Sequence, residues 1–117
     1  GYARFAWRSL VFDRARRNAA VELVNTSERD GEEVVQLYVR DSRPGRPRLQ
    51  LCGFARIALA AGERRTVDIP LDHQPLRRWD EHLGDYALDA VPRELLAGPS
   101  SQNLPLRLAL PPDAFAT

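Results

Sequence analysis

With 117 residues, 44% of them hydrophobic, the chain has the size of one ordinary domain and enough apolar side chains to bury a core. Its 17 basic residues, all arginine, nearly cancel 16 acidic ones, and the resulting net charge of +1 gives no overall field to recruit nucleic acid or an anionic membrane. The one cysteine, Cys52, excludes an internal disulfide and a cysteine-based zinc site, and no apolar run is long enough to cross a bilayer.

No basic start precedes an apolar segment, and there is no initiator methionine. The sequence therefore reads as a piece of a longer chain, with any targeting segment upstream.

The opening is aromatic. Phe5 and Trp7 share one parity, Leu10 and Phe12 the other, so either one strand with a bulge between the two pairs or an edge strand that changes sheets is expected. Residues 13–18 are charged and read as a turn. Residues 19–25 form a second strand, with Val21 and Leu23 inward and Glu22 outward. Asp30-Gly31 is a hairpin signal, because glycine accepts a positive φ without steric cost. Behind it Val35, Leu37 and Val39 alternate with Gln36, Tyr38 and Arg40, the pattern of a central strand with one face on a core.

Residues 42–48 carry Pro44, Gly45 and Pro47 among Arg43, Arg46 and Arg48, a stiff basic loop. Residues 49–59 mix strand and bend, with Gly53 as the expected bulge or close-approach point. A tight turn at 60–63 leads to Val67, Ile69 and Leu71, where Pro70 places the strand at a sheet edge. Residues 72–84 set Trp79 in charged surroundings. Residues 85–90 and 94–97 read as weak strands around Pro92. Leu104, Leu106, Leu108 and Leu110 alternate strictly before Pro111-Pro112 stops the pattern. Many short strands with turn signals every eight to twelve residues or so predict an all-β fold, a sandwich or barrel, as a single domain over 1–117 with an ordered core at 2–110 and a tail at 111–117.

Several segments taken in order carry a family resemblance. Tyr2, Phe5, Trp7 and Leu10 fit an aromatic-x-x-Phe-x-aromatic-x-x-Leu opening. Gly31-Glu32-Glu33-Val34-Val35-Gln36-Leu37-Tyr38-Val39 fits the most recognisable segment. Arg46-Pro47, then Leu51-Cys52-Gly53-Phe54-Ala55-Arg56-Ile57, fit an Arg-Pro…Leu-x-Gly-Phe-x-Arg-aliphatic stretch. Leu59-Ala60-Ala61-Gly62-Glu63, Trp79-Asp80-Glu81 and Gly98-Pro99-Ser100-Ser101 complete the series. The chain resembles the fibronectin type III-like domain at the C-terminus of family 3 glycoside hydrolases, the β-glucosidase and β-xylosidase group. Three positions depart from the pattern. Ala61 replaces a turn proline, and Leu49 stands where the family has lysine. Ala90-Val91-Pro92-Arg93 replaces a Pro-Gly-x-aromatic turn, which puts Arg93 at a core aromatic position.

The resemblance implies an immunoglobulin/fibronectin type III-like β-sandwich of about seven antiparallel strands in two sheets. It also implies a non-catalytic accessory domain, since the family's catalytic Asp and Glu lie in two domains upstream, and none is carried over here. The implied partners are the catalytic domains of the same parent chain. Arg43, Arg46, Pro47 and Arg48 are the candidate docking loop.

Other side chains were weighed for chemistry. Trp79, and behind it Trp7, Tyr2 and Tyr38, could stack on a pyranose face, although aromatics in small sandwiches more often fill core or interface. Trp79 is the candidate sugar contact, because Arg77, Arg78, Asp80 and Glu81 around it imply partial exposure. Asp80 and Glu81, as strand neighbours, point to opposite faces and cannot flank one glycosidic bond at about 5 to 9.5 Å. His73 and His82 have no metal-ligand spacing, and Ser100-Ser101 has no nucleophile-elbow context. Cys52 reads as a small buried residue. No cofactor, nucleic acid or membrane partner is expected; carbohydrate is the alternative ligand.

Overall fold

The computed structural model describes residues 3–46 and 48–116; Tyr2 and Pro47, both singled out above, lie outside them. The described residues hold nine strands: β1 (Phe5–Asp13), β2 (Asn18–Asn25), β3 (Gly31–Asp41), β4 (Gln50–Leu59), β5 (Arg64–Pro70), β6 (Arg78–Asp80), β7 (Asp85–Ala87), β8 (Arg93–Gly98) and β9 (Leu106–Leu110), with one 3-10 turn at Gln74–Leu76. They pair antiparallel as a three-stranded sheet β1-β2-β5, a four-stranded sheet β4-β3-β8-β9 and a two-stranded ribbon β6-β7. The two larger sheets hold the seven strands the sequence implies. The ribbon is additional, and its first strand falls where the sequence shows only a charged segment.

Alternation builds the core. Val21 and Leu23 of β2 face Val35, Leu37 and Val39 of β3, all fully buried. Each such side chain stabilises the fold by about 2 kcal/mol through lost apolar exposure. Two bulges reconcile the strands whose parity changes. In β1 the register slips between Trp7 and Ser9, leaving Arg8 unpaired, so Phe5 and Trp7, then Leu10 and Phe12, all turn toward the core. In β4 the partners of Leu37 and Tyr38 are Gly53 and Leu51, so Cys52 is the extra residue. Gly53 is also a close approach: a Cβ there would lie 2.9 Å from Leu37 Cδ1 and 3.2 Å from the Pro70 carbonyl oxygen. Pro70 ends β5, which is an edge strand.

Two expectations are corrected. β8 is not a weak strand. It lies inside its sheet between β3 and β9, and Leu95, Leu96 and Ala97 are buried in succession, so its two covered faces hide the alternation that marks a half-exposed strand. The core also does not end at 110. Pro111-Pro112 stops β9, but the turn after it carries Ala114 and Phe115 back into the core at 2% and 4% exposure. The Phe115 ring meets Phe12 edge-on at 5.6 Å and stacks with His73 at 6.1 Å, and Arg17 Nη2 donates to its carbonyl at 3.1 Å. Arg93, at the position where the family carries a core aromatic, is itself buried, and its guanidinium lies 6.0 Å from the Phe115 ring. The aromatic of this corner thus comes from the C-terminal turn.

Candidate functional site

The basic loop runs from the end of β3 to the start of β4 and turns at Gly45, whose φ of +79° suits glycine. Arg43 is not free to bind. Its Nε and Nη2 form a fork on Asp41 at 3.0 and 2.6 Å, and its backbone N–H donates to the same carboxylate. The Arg43 side chain, that N–H and the charge of Arg46 hold the Asp41 carboxyl down at about 2. Arg46 and Arg48 are exposed, and neither forms an ion pair among the described residues.

The loop forms one wall of a cleft of about 480 Å³. Arg40, Arg43, Arg46 and Arg48 line it from β3 and the loop, Arg77 and Arg78 from the base of the ribbon, and Arg93 from β8. Among the described residues two carboxylates share that lining, Asp41 and Asp89. Asp89 accepts from Arg78 Nε at 2.9 and 3.0 Å, which lowers its pKa, and its backbone carbonyl accepts from Arg93 Nη2 at 2.9 Å. Arg40 is paired outside the cleft with Glu94 at 2.6 Å. The sequence separates these arginines by up to 53 positions, and only the fold brings them together.

The ribbon carries exposed aromatics. Trp79 and Tyr86 sit opposite each other, 54% and 55% exposed, in an edge-to-face pair at 5.4 Å, and Leu83 at the tip is 68% exposed. Arg77 belongs to both regions, since it lines the cleft and its guanidinium lies 5.5 Å over the Tyr86 ring. Asp80 builds the turn beyond Trp79: its Oδ1 accepts from the N–H groups of His82 and Leu83 at 2.9 and 3.1 Å.

A second exposed apolar area lies on the outer face of the four-stranded sheet. Leu51 and Phe54, three apart, would face opposite ways in a regular strand. The bulge at Cys52 puts both outside, 47% and 52% exposed. Tyr38 and Gln36 pair with them across the ladder, and the Tyr38 hydroxyl donates to Gln36 Oε1 at 2.6 Å. Leu51, Phe54 and Tyr86 were not singled out from sequence; the bulge at Cys52, two residues before Phe54, is what puts the first two on one face.

The remaining candidates have structural surroundings. Trp7 packs on the core. His73 stacks on Phe115, and its pKa is lowered by burial and then by Arg17 and Arg77. His82 and Glu81 are exposed. Ser100 Oγ accepts from the Gln102 N–H at 3.3 Å. Burial pushes the Cys52 thiol up to about 12, so it stays protonated and is no nucleophile. Among the described residues no three His, Cys, Asp or Glu side chains gather as a metal site, and no helix is long and apolar enough to cross a membrane.

Residues 33–101 match the fibronectin type III-like domain. The chain belongs to that family. It is 39% identical over 89 residues to the probable β-glucosidase A of Aspergillus fumigatus, spanning 76% of this chain and 10% of that protein. It is 42% identical over 67 residues to the periplasmic β-glucosidase of Salmonella typhimurium, spanning 56% and 9%. Among solved structures, the family 3 glycoside hydrolase β-glucosidase of Bifidobacterium adolescentis superposes with a TM-score of 0.81 at 27% identity, over 94% of this chain and 17% of that one. A β-glucosidase from Streptomyces venezuelae in complex with D-glucose superposes with a TM-score of 0.79 at 28% identity, over 94% and 15%. The chain thus spans about a tenth of the curated relatives it matches and corresponds to one small domain of family 3 β-glucosidases.

Proposed function

We propose that this domain is a non-catalytic accessory module that packs on the catalytic domains of a family 3 glycoside hydrolase and holds them in shape. The observation that carries this reading is the match to a small part of β-glucosidases. The docking surface is the outer face of the four-stranded sheet around Leu51 and Phe54, bordered by the loop residues Arg46 and Arg48. Both parts lie at the β3–β4 end, so an apolar centre carries a cationic rim, as interfaces commonly do. The test uses the full-length chain that carries this domain. Phe54→Ser with Arg46→Glu and Arg48→Glu lowers the melting temperature of the whole protein and its glycosidase activity. An unchanged melting temperature and activity would remove the docking reading.

A second reading rests on the 54% exposure of Trp79 beside Tyr86. The ribbon presents a ring face to a neutral sugar chain. Titration of the isolated domain with soluble glucan and xylan checks it through tryptophan fluorescence, and no change on addition of either would sink it.

A further inference from the structure

The molecule has a net charge of only +1, yet seven of its 17 arginines line one cleft that holds two carboxylates. Both carboxylates are already committed, Asp41 to Arg43 and Asp89 to Arg78. Those pairs fix Arg43 and Arg78 in place and leave Arg46, Arg48 and Arg77 with no ion pair among the described residues. A guanidinium is a planar fork that matches a carboxylate with two parallel hydrogen bonds, so unpaired forks lining one cleft suit a ligand bearing carboxylates. The cleft volume of about 480 Å³ is of the size that holds a small organic group.

One wall adds a second chemistry. Arg77 lies over the Tyr86 ring, and Tyr86 carries the exposed Trp79 at its edge, so the cationic cleft continues directly into aromatic surface. A plain acidic peptide has no use for that continuation. A sugar ring with a carboxylate uses both parts, its charge on the forks and its apolar C–H face on an aromatic ring. From this juxtaposition we infer that the cleft between the loop residues Arg43, Arg46 and Arg48 and the β6-β7 ribbon binds uronic-acid residues of an acidic polysaccharide. The inference goes beyond the docking reading. It takes from the second reading only the exposed ribbon, and it assigns specificity to the arginines rather than to Trp79.

Electrophoresis of the domain through native gels cast with polygalacturonate, polyglutamate or neutral glucan tests it. Polygalacturonate is expected to retard the domain, neutral glucan to retard it at least tenfold more weakly. The Arg46→Ala/Arg48→Ala/Arg77→Ala variant, whose substituted side chains are all exposed, is expected to lose at least tenfold in affinity with an unchanged circular dichroism spectrum. Trp79→Ala is expected to weaken binding to polygalacturonate several-fold and to leave binding to polyglutamate unchanged. Absence of retardation by polygalacturonate overturns the inference, as does full retention of binding by the triple variant. Equal retardation by polyglutamate, insensitive to Trp79→Ala, also overturns it and identifies a general acceptor of acidic protein surface. Retardation by neutral glucan without preference for polygalacturonate overturns it too, while leaving the neutral-sugar reading standing. Arg46 and Arg48 are shared with the docking reading, but the two are told apart by their readouts: polysaccharide retardation of the domain here, melting temperature and activity of the full-length chain there.

Discussion

Asn25 shows how one residue can organise a corner. It is fully buried, and every polar atom of its side chain is used. Its Nδ2 donates to the carbonyls of Arg29 and Leu59 at 2.7 and 3.2 Å, and its Oδ1 accepts from the Ser27 N–H and hydroxyl at 3.0 and 2.7 Å. The amide thereby ties the loop after β2 to the end of β4. Asn25→Ala removes the tie and takes this donor from the buried Leu59 carbonyl, while the Arg29 carbonyl keeps the Ser27 hydroxyl, so urea denaturation is expected to show a loss of about 1 to 2 kcal/mol. Charge at the cleft has a pH signature. The Asp41 carboxyl sits at about 2, below its ordinary value of 3.8, and Asp89 is lowered as well. A depressed carboxylate contributes stability that is present above its unfolded pKa and is lost as the pH falls through the folded one. Stability is therefore expected to decline between about pH 4 and pH 2, and Asp41→Asn to flatten that decline slightly. The effect is small because the pair is solvent-exposed and screened. Urea midpoints taken every half pH unit check it; an equally steep decline in the Asn variant would assign the loss to other groups.

At the level of elements, closeness explains a sequence signal that looked merely loop-like. Gly98 ends β8 where the chain between Ser100 and Pro105 folds back over it, and a Cβ there would collide with the Asn103 carbonyl oxygen and come within 2.8 Å of Leu104 Cα. The obstacle is backbone, which cannot swing aside as a side-chain tip can. Gly98→Ala is expected to cost about 2 kcal/mol or more, read from the same denaturation curves. Phe115 makes the complementary case. Its ring fills the corner between Phe12, His73 and Arg93, so Phe115→Ala leaves a cavity and is expected to cost about 3 kcal/mol. A loss below about 1 kcal/mol would mean that the C-terminal turn only rests on the core. The two signals differ in how they could be read. Clean alternation marked β2, β3 and β5, a parity break marked the bulge in β1, and a glycine marked the one in β4. β8 was under-read because burial on both faces erases alternation. Phe115 was missed because a proline pair looks like an end, and nothing local tells a terminal tail from a turn that returns to the core. The cleft was illegible for the same reason: Arg46, Arg77 and Arg93 meet only after three separate connections have folded. Trp79 was found through its charged neighbours, which fits its exposure, whereas Tyr86 opposite it has a charged neighbour only in Asp85.

As a whole the molecule is elongated, 57 × 29 × 20 Å along its principal axes, so a large fraction of it is surface. That surface is uneven. The arginines concentrate at one cleft, while Leu51 and Phe54 form an exposed apolar area on one sheet face. Apolar area left uncovered on an isolated domain favours self-association. The isolated domain is expected to form reversible dimers or larger species at high concentration, and Phe54→Ser to shift it to monomer. Sedimentation velocity over a concentration series measures this, and a strictly monomeric parent domain would show that the area is too small to drive association.

The extra residue in β4 decides which side of the wall each of two neighbours occupies. In an unbroken strand of the same sequence Leu51 would turn into the core, and Cys52 would emerge on the outer face beside Phe54. The bulge exchanges them. The only thiol in the chain is thereby withdrawn from the face offered to other molecules, and that face can meet a partner, or a second copy of itself, without becoming covalently joined to it under oxidation.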